Sequence, residues 1–178
     1  MKTKVAVIAL AGLAVLCIMA AVGYVAYGRV GGGRGSCCGA SGTTNGTGAV
    51  ARPTWIDASV EGNTISIPVS LVKTNKIVNF RVTYERTSMA FMAYQLGEQN
   101  YVRAALCPPC RSESFSLDGD VLDCDTCHTR FSAINGEGLK GACRAYPKAE
   151  VRYTAAGDKL TMDVADLVTA YQETKNPA

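Results

Sequence analysis

Residues 77–110 read IVNFRVTYERTSMAFMAYQLGEQNYVRAALCPPC, and this stretch decides the class of fold. From Ile77 to Tyr84 apolar and polar side chains alternate with a period of two, the mark of a strand with one face buried. Met89 to Leu96 and Tyr101 to Leu106 read as two further strands, with Gly97 to Asn100 as the turn between them. The last strand runs directly into Cys107-Pro-Pro-Cys110.

Upstream, Thr64 to Ser70 shows the same alternation and reads as a strand. Downstream, Ala149 to Thr154 and Lys159 to Met162 form an expected hairpin around Ala156, Gly157 and Asp158. Asp163 is placed to cap a final helix, Val164 to Glu173, with Val164, Leu167, Val168 and Tyr171 on one face. The expected domain, residues 53–178, is therefore mainly β, a β-rich α+β fold with little helix. It is long enough to bury a core, to which bound metal would add.

The amino-terminal third differs in kind. Val5 to Tyr27 carries no charge, and as a helix it would be about 35 Å long, enough for a hydrocarbon layer of about 30 Å. The positive Met1-Lys-Thr-Lys4 head suits an amino terminus kept in the cytoplasm, whereas Arg29 and Arg34 beyond the other end pull against that orientation. A cleaved signal peptide ending near Ala20 to Gly23 is the competing reading, but the apolar run exceeds the ~7–15 residues of such a segment. The expectation is one transmembrane helix (1–27) in the cell membrane, a flexible glycine-rich linker (28–52), and an extracytoplasmic carboxy-terminal domain. Cys17 reads as a small apolar residue of the span, and Cys37-Cys38 as thiols on the tether.

Charge bears on partners. Five of the 18 basic residues precede Pro53 and all 15 acidic residues follow it, so the body carries 13 basic against 15 acidic groups. A nucleic-acid-binding domain would instead carry its basic patch on the folded part, so no nucleic-acid partner is expected. With one histidine and no Gly-x-Ser-x-Gly motif, no hydrolytic triad can be assembled around imidazole.

The chemistry gathers between Leu106 and Pro147. Cys107-Pro-Pro-Cys110 is followed by Cys124-Asp-Thr-Cys127, and two knuckles so spaced can bring four thiolates together. Such a set suits a tetrahedral zinc, a single iron or an iron–sulfur cluster. Structural disulfides are an alternative in an oxidising compartment, although a bridge within one knuckle closes a loop too short to gain much. Cys124-Asp-Thr-Cys127-His128 is also a complete haem c attachment sequence, with His128 as proximal ligand and Met89, Met92 or Met162 as a second. That reading leaves Cys107 and Cys110 unused. Cys143 and His128 are further candidates beside the four. Asp118, Asp120, Asp123 and Asp125 crowd the intervening loop, where they would be solvated or draw cations inward.

The order of these motifs resembles the FtrD-like membrane iron–sulfur family. The likeness rests on Ser66-Ile-Pro-Val-Ser-Leu71, a strand-rich stretch, the two knuckles, Phe131 with Ile134, and the segment Gly141-Ala-Cys-Arg-Ala-Tyr-Pro147, over roughly Ala58 to Met162. It implies electron transfer or iron handling, with a membrane iron permease or redox protein as partner. Carried over by position, Cys107, Cys110, Cys124 and Cys127 match the family's paired cysteines and Cys143 its later one. Two departures stand out: the family's Gly-Gly-Cys is Gly-Ala-Cys here with its proline delayed to Pro147, and His128 replaces a common glycine.

Overall fold

The computed structural model describes residues 49–178. The expected anchor (1–27), almost all of the linker (28–52), and Cys17, Cys37 and Cys38 lie outside the described residues. Among those described, no helix is long and apolar enough to cross a membrane.

In chain order the elements begin with β1 (Thr54–Trp55), β2 (Ser59–Glu61), β3 (Thr64–Pro68) and α1 (Val69–Asn75). Next come β4 (Ile77–Tyr84), β5 (Thr87–Leu96) and β6 (Gln99–Ala104). The cysteine region holds β7 (Phe115–Asp118), β8 (Val121–Cys124), β9 (Arg130–Ser132) and β10 (Gly138–Lys140). The chain closes with β11 (Thr154–Ala156), β12 (Lys159–Asp163) and α2 (Val164–Lys175). They form three four-stranded sheets, ordered β1-β4-β5-β6, β11-β12-β3-β2 and β10-β9-β8-β7. The domain is mainly β with two helices, as the alternation in the sequence implied.

The sheet containing β5 is buried on both faces. Met89, Phe91 and Ala93 pack into one core with Ile65, Ile67, Val72, Met162, Leu167 and Tyr171. Their neighbours Ala90, Met92 and Tyr94 enter a second core with Phe115, Leu122, Phe131, Cys107, Cys124 and Cys143. This explains why β5 reads as a near-continuous apolar run: neither face meets water. The second core is the one that carries the cysteines.

Three local expectations are corrected. Thr64 to Ser70 is not one strand: β3 ends at Pro68 and the chain turns into α1. Proline cannot donate to a further ladder bond, and Val69 and Val72, three apart, then bury one helical face. Asp158 completes that helix start from 88 residues away, accepting from the Ser70 backbone N–H at 2.8 Å and the Ser70 hydroxyl at 2.7 Å. Second, Ala149 to Val151 does not join the hairpin but lies along β6, where Ala149 O accepts from Ala104 N–H (3.1 Å) and Val151 N–H donates to Val102 O (2.8 Å). Third, the loop expected between the knuckles holds two strands, β7 and β8, which join β9 and β10 beyond the second knuckle in one sheet. Its strands have only three or four residues each, too short for their alternation to register. At the far end Asp163 caps α2 as expected, accepting from the Ala165 N–H at 2.8 Å.

Candidate metal centre

The two knuckles have the same backbone. In the first, Cys107 N–H donates to Ser112 O (2.8 Å) and Arg111 N–H donates back to Cys107 O (2.7 Å). In the second, Cys124 N–H donates to Thr129 O (3.0 Å) and His128 N–H donates to Cys124 O (2.9 Å). Each loop closes through a residue with left-handed backbone, Arg111 at φ 59° and His128 at φ 53°. Left-handed φ is where glycine is cheapest, and Arg111 and His128 both hold it here.

The second knuckle is fastened to the strand before it. Ser114 Oγ and Ser116 Oγ both donate to the Asp125 carboxylate at 2.5 Å, and Asp125 N–H donates to Ser114 O at 3.1 Å. Asp125 is thus a clamp on the loop. Asp123 takes the His128 ring at 3.2 Å, and Asp118 pairs with Arg130 at 3.7 Å, so neither carboxylate is directed at the thiols.

Five free cysteines converge: Cys107, Cys110, Cys124, Cys127 and Cys143. Sγ of Cys107 lies 3.9 Å from that of Cys127, Cys110 lies 3.7 Å from Cys124, and Cys127 lies 3.7 Å from Cys143. Cys107 and Cys124 are fully buried, Cys143 is nearly so, and Cys110 and Cys127 are half-buried. All five are thiols, so the disulfide alternative is not what this structure holds. His128 stands apart, its side chain 80% exposed. Of the sequence candidates, the structure brings the five cysteines together and leaves the histidine at the rim.

Burial sets the thiol acidities apart. It pushes Cys107 well above the ordinary thiol range, with Cys110 and Cys143 adding to the effect, and it raises Cys124 against opposing hydrogen bonds. Burial also opposes ionisation of Cys127, but hydrogen bonds from the Thr129 hydroxyl and backbone amide, together with Cys124 and Cys110, outweigh it and bring this thiol down to about 6. A metal entering here therefore displaces protons from the deeper thiols.

Sequence reasoning missed the cation beneath the sulfurs. Lys148 is fully buried, with Nζ donating to Leu106 O and Tyr146 O at 2.7 Å each and standing 4.3 Å from the Phe131 ring centre. Burial lowers its pKa to about 8, while Cys107, Cys124, Cys143 and Cys110 act to keep it charged. Behind it, Arg103 donates from Nε to Tyr94 Oη (2.9 Å), from Nη1 to Lys148 O (2.9 Å) and from Nη2 to Ile134 O (2.6 Å). Tyr94 in turn donates to Ala133 O at 2.6 Å. A lysine after proline looks like any surface lysine in sequence. For Arg103 a signal existed: it shares the alternation of Tyr101 and Ala105, which face the second core.

A family model described as a membrane iron–sulfur containing protein, FtrD-like, matches residues 72–173. No curated protein matches. Among solved structures, a chain from the complex of reduced oxygenase and oxidized ferredoxin in carbazole 1,9a-dioxygenase is 18% identical at TM-score 0.48, covering 58% of this chain and 95% of its own. The Sphingomonas yanoikuyae B1 ferredoxin is 20% identical at TM-score 0.45, covering 54% and 92%. Likenesses of that size support no argument about what this chain binds.

Proposed function

The chain belongs to the FtrD-like family of membrane iron–sulfur containing proteins, and from that premise we propose that its folded domain is an electron carrier. Its centre would be a binuclear iron–sulfur cluster held by Cys107, Cys110, Cys124 and Cys127. The observation that carries this reading is the pair of short sulfur contacts that cross between knuckles, Cys107 to Cys127 at 3.9 Å and Cys110 to Cys124 at 3.7 Å. Two thiolates on one tetrahedral metal with bonds of about 2.3 Å stand roughly 3.8 Å apart. Each pair is spaced for one iron, and each iron would tie both knuckles.

The donor set fits as well: thiolates from two loops, half of them fully buried, with no carboxylate directed among them. A bound cluster supplies one-electron chemistry. The chain's own residues supply the rest. The two closed knuckles hold the sulfurs, Asp125 locks the second loop, and Lys148 sets a positive charge beneath a strongly negative site. Cys110 and Cys127, the more exposed pair, form the edge through which electrons would enter and leave.

The proposal extends to an extracytoplasmic domain on a single-pass anchor, supported by the uncharged Val5–Tyr27 stretch and the positive head. The partner would be a membrane iron permease or redox protein. Haem attachment through Cys124, Cys127 and His128 has less support, because Cys124 is sealed among Phe115 and Leu122 while the His128 ring is turned toward Asp123. The test is a redox titration of the full chain in detergent. Visible bands that bleach with dithionite and return on oxidation, with about one electron per chain, support the proposal. A colourless, redox-silent protein overturns it.

A further inference from the structure

We propose that the pocket has a second, overlapping ligand set, in which Cys107, Cys110, Cys127 and Cys143 bind a single soft divalent ion such as zinc or ferrous iron. The sulfurs of these four all lie within 4.8 Å of one another, and Cys124 is not part of that group. With bonds of about 2.3 Å the ligand-to-ligand edge of a tetrahedral site is roughly 3.8 Å, so sub-ångström shifts close this set on one ion. Cys124 reaches the group through Cys110 at 3.7 Å.

Cys143 is also held in place by the chain around it. It is 3% exposed, and its N–H donates to Thr129 Oγ1 at 3.1 Å, the same oxygen that lies 3.3 Å from Cys127 Sγ. Gly141, at φ 119°, lets the backbone approach so closely that a Cβ there would fall 2.5 Å from Thr129 Oγ1. The segment is therefore fitted against the second knuckle, and one buried hydroxyl holds the Cys143 backbone and the Cys127 thiol at once. A cysteine serving only as core filling would need neither the close approach nor a shared polar partner.

Four thiolates around a divalent ion leave a charge of −2, which the buried Lys148 ammonium reduces further. Soft or borderline ions are the class such sulfurs select. The two sets share three sulfurs, so a single ion and a binuclear cluster exclude one another. This inference uses the same pocket as the proposed electron carrier but stands without it.

The test uses the full chain in detergent, stripped of metal with its thiols reduced, and cobalt(II) as the probe. The thiolate-to-cobalt charge-transfer intensity counts the sulfurs bound. Wild type and Cys124→Ser should both give the four-thiolate spectrum, whereas Cys143→Ser should give the weaker three-thiolate one. In competition with a chelator, Cys143→Ser should weaken zinc by more than the roughly tenfold to hundredfold typical of an outer partner, and Cys124→Ser by less. Cys124→Ser, made together with Cys17→Ser, Cys37→Ser and Cys38→Ser, keeps the proposal falsifiable should Cys143→Ser fold poorly, because its fourth sulfur can then only be Cys143. A three-thiolate spectrum in Cys124→Ser, or four thiolates in Cys143→Ser, overturns it. Reconstitution with ferrous iron and sulfide reports separately on the cluster, which Cys124→Ser should lose and Cys143→Ser should keep.

Discussion

Arg111 and His128 occupy one position in two copies of the same loop: both follow the second cysteine of a knuckle, both have left-handed φ, and both donate an N–H to the carbonyl of the first cysteine. That equivalence gives His128 a backbone role. His128→Gly should keep the metal centre and change unfolding stability by less than about 1 kcal/mol, because relief of a left-handed conformation is offset by glycine's extra freedom when unfolded. His128→Ala should likewise keep the centre. Metal analysis and thermal unfolding of both variants check this, and loss of metal would contradict it.

Gly141→Ala should disturb the third cysteine segment. The new Cβ would meet Thr129 Oγ1 at 2.5 Å and Thr129 Cα at 2.7 Å, at φ 119°. A cost of about 1–3 kcal/mol is expected for backbone forced in this way. Gly157→Ala is the control: it also has positive φ, yet nothing lies within 4 Å of its Cβ. Chemical denaturation should show the first variant clearly less stable than the second.

Lys148→Met should lower the midpoint potential of the centre. A buried positive charge favours the reduced, more negative state, so its removal favours the oxidised one. The same change strips Leu106 O and Tyr146 O of their donor, costing about 1–3 kcal/mol for the buried Leu106 carbonyl left unpaired. A variant that folds, binds metal and shows an unchanged potential would remove Lys148 from the account.

Tyr94 supplies a pH signature. Burial raises its hydroxyl from 10.0 to about 12, against the opposing pull of Arg103. Between those values the unfolded chain releases the proton and the folded chain keeps it, so this contribution is complete below pH 10 and lost as pH rises through 12. Tyr94→Phe should be less stable at neutral pH by about 1–3 kcal/mol, since Arg103 Nε loses its acceptor. The gap between the two proteins should shrink as pH climbs through that window. A gap that stays constant would contradict the assignment.

What was legible in the sequence follows from which signals are local. Strand β4 was read with its observed bounds because eight residues of alternation leave little doubt, and the Asp163 cap because its bond spans two residues. The knuckles announced themselves through spacing. What escaped depends on distant contacts. Helix α1 is completed by Asp158, Ala149 to Val151 pairs with β6, and Lys148 is drawn inward by two backbone carbonyls and the face of Phe131. None of these leaves a periodic or spacing signal. Cys143 was legible as a candidate, but its approach to Cys127 depends on Gly141 and Thr129, which sequence reading had not connected.

The most direct test of the central claim is the iron and acid-labile sulfide content of the anaerobically purified full chain, read with its visible spectrum. The account predicts about two irons and two sulfides per chain with broad visible bands, as for a binuclear cluster. That content should be lost in each of Cys107→Ser, Cys110→Ser, Cys124→Ser and Cys127→Ser, and retained in His128→Ala. Zinc without sulfide would contradict the claim, and so would a sharp Soret band that survives Cys107→Ser and disappears in His128→Ala.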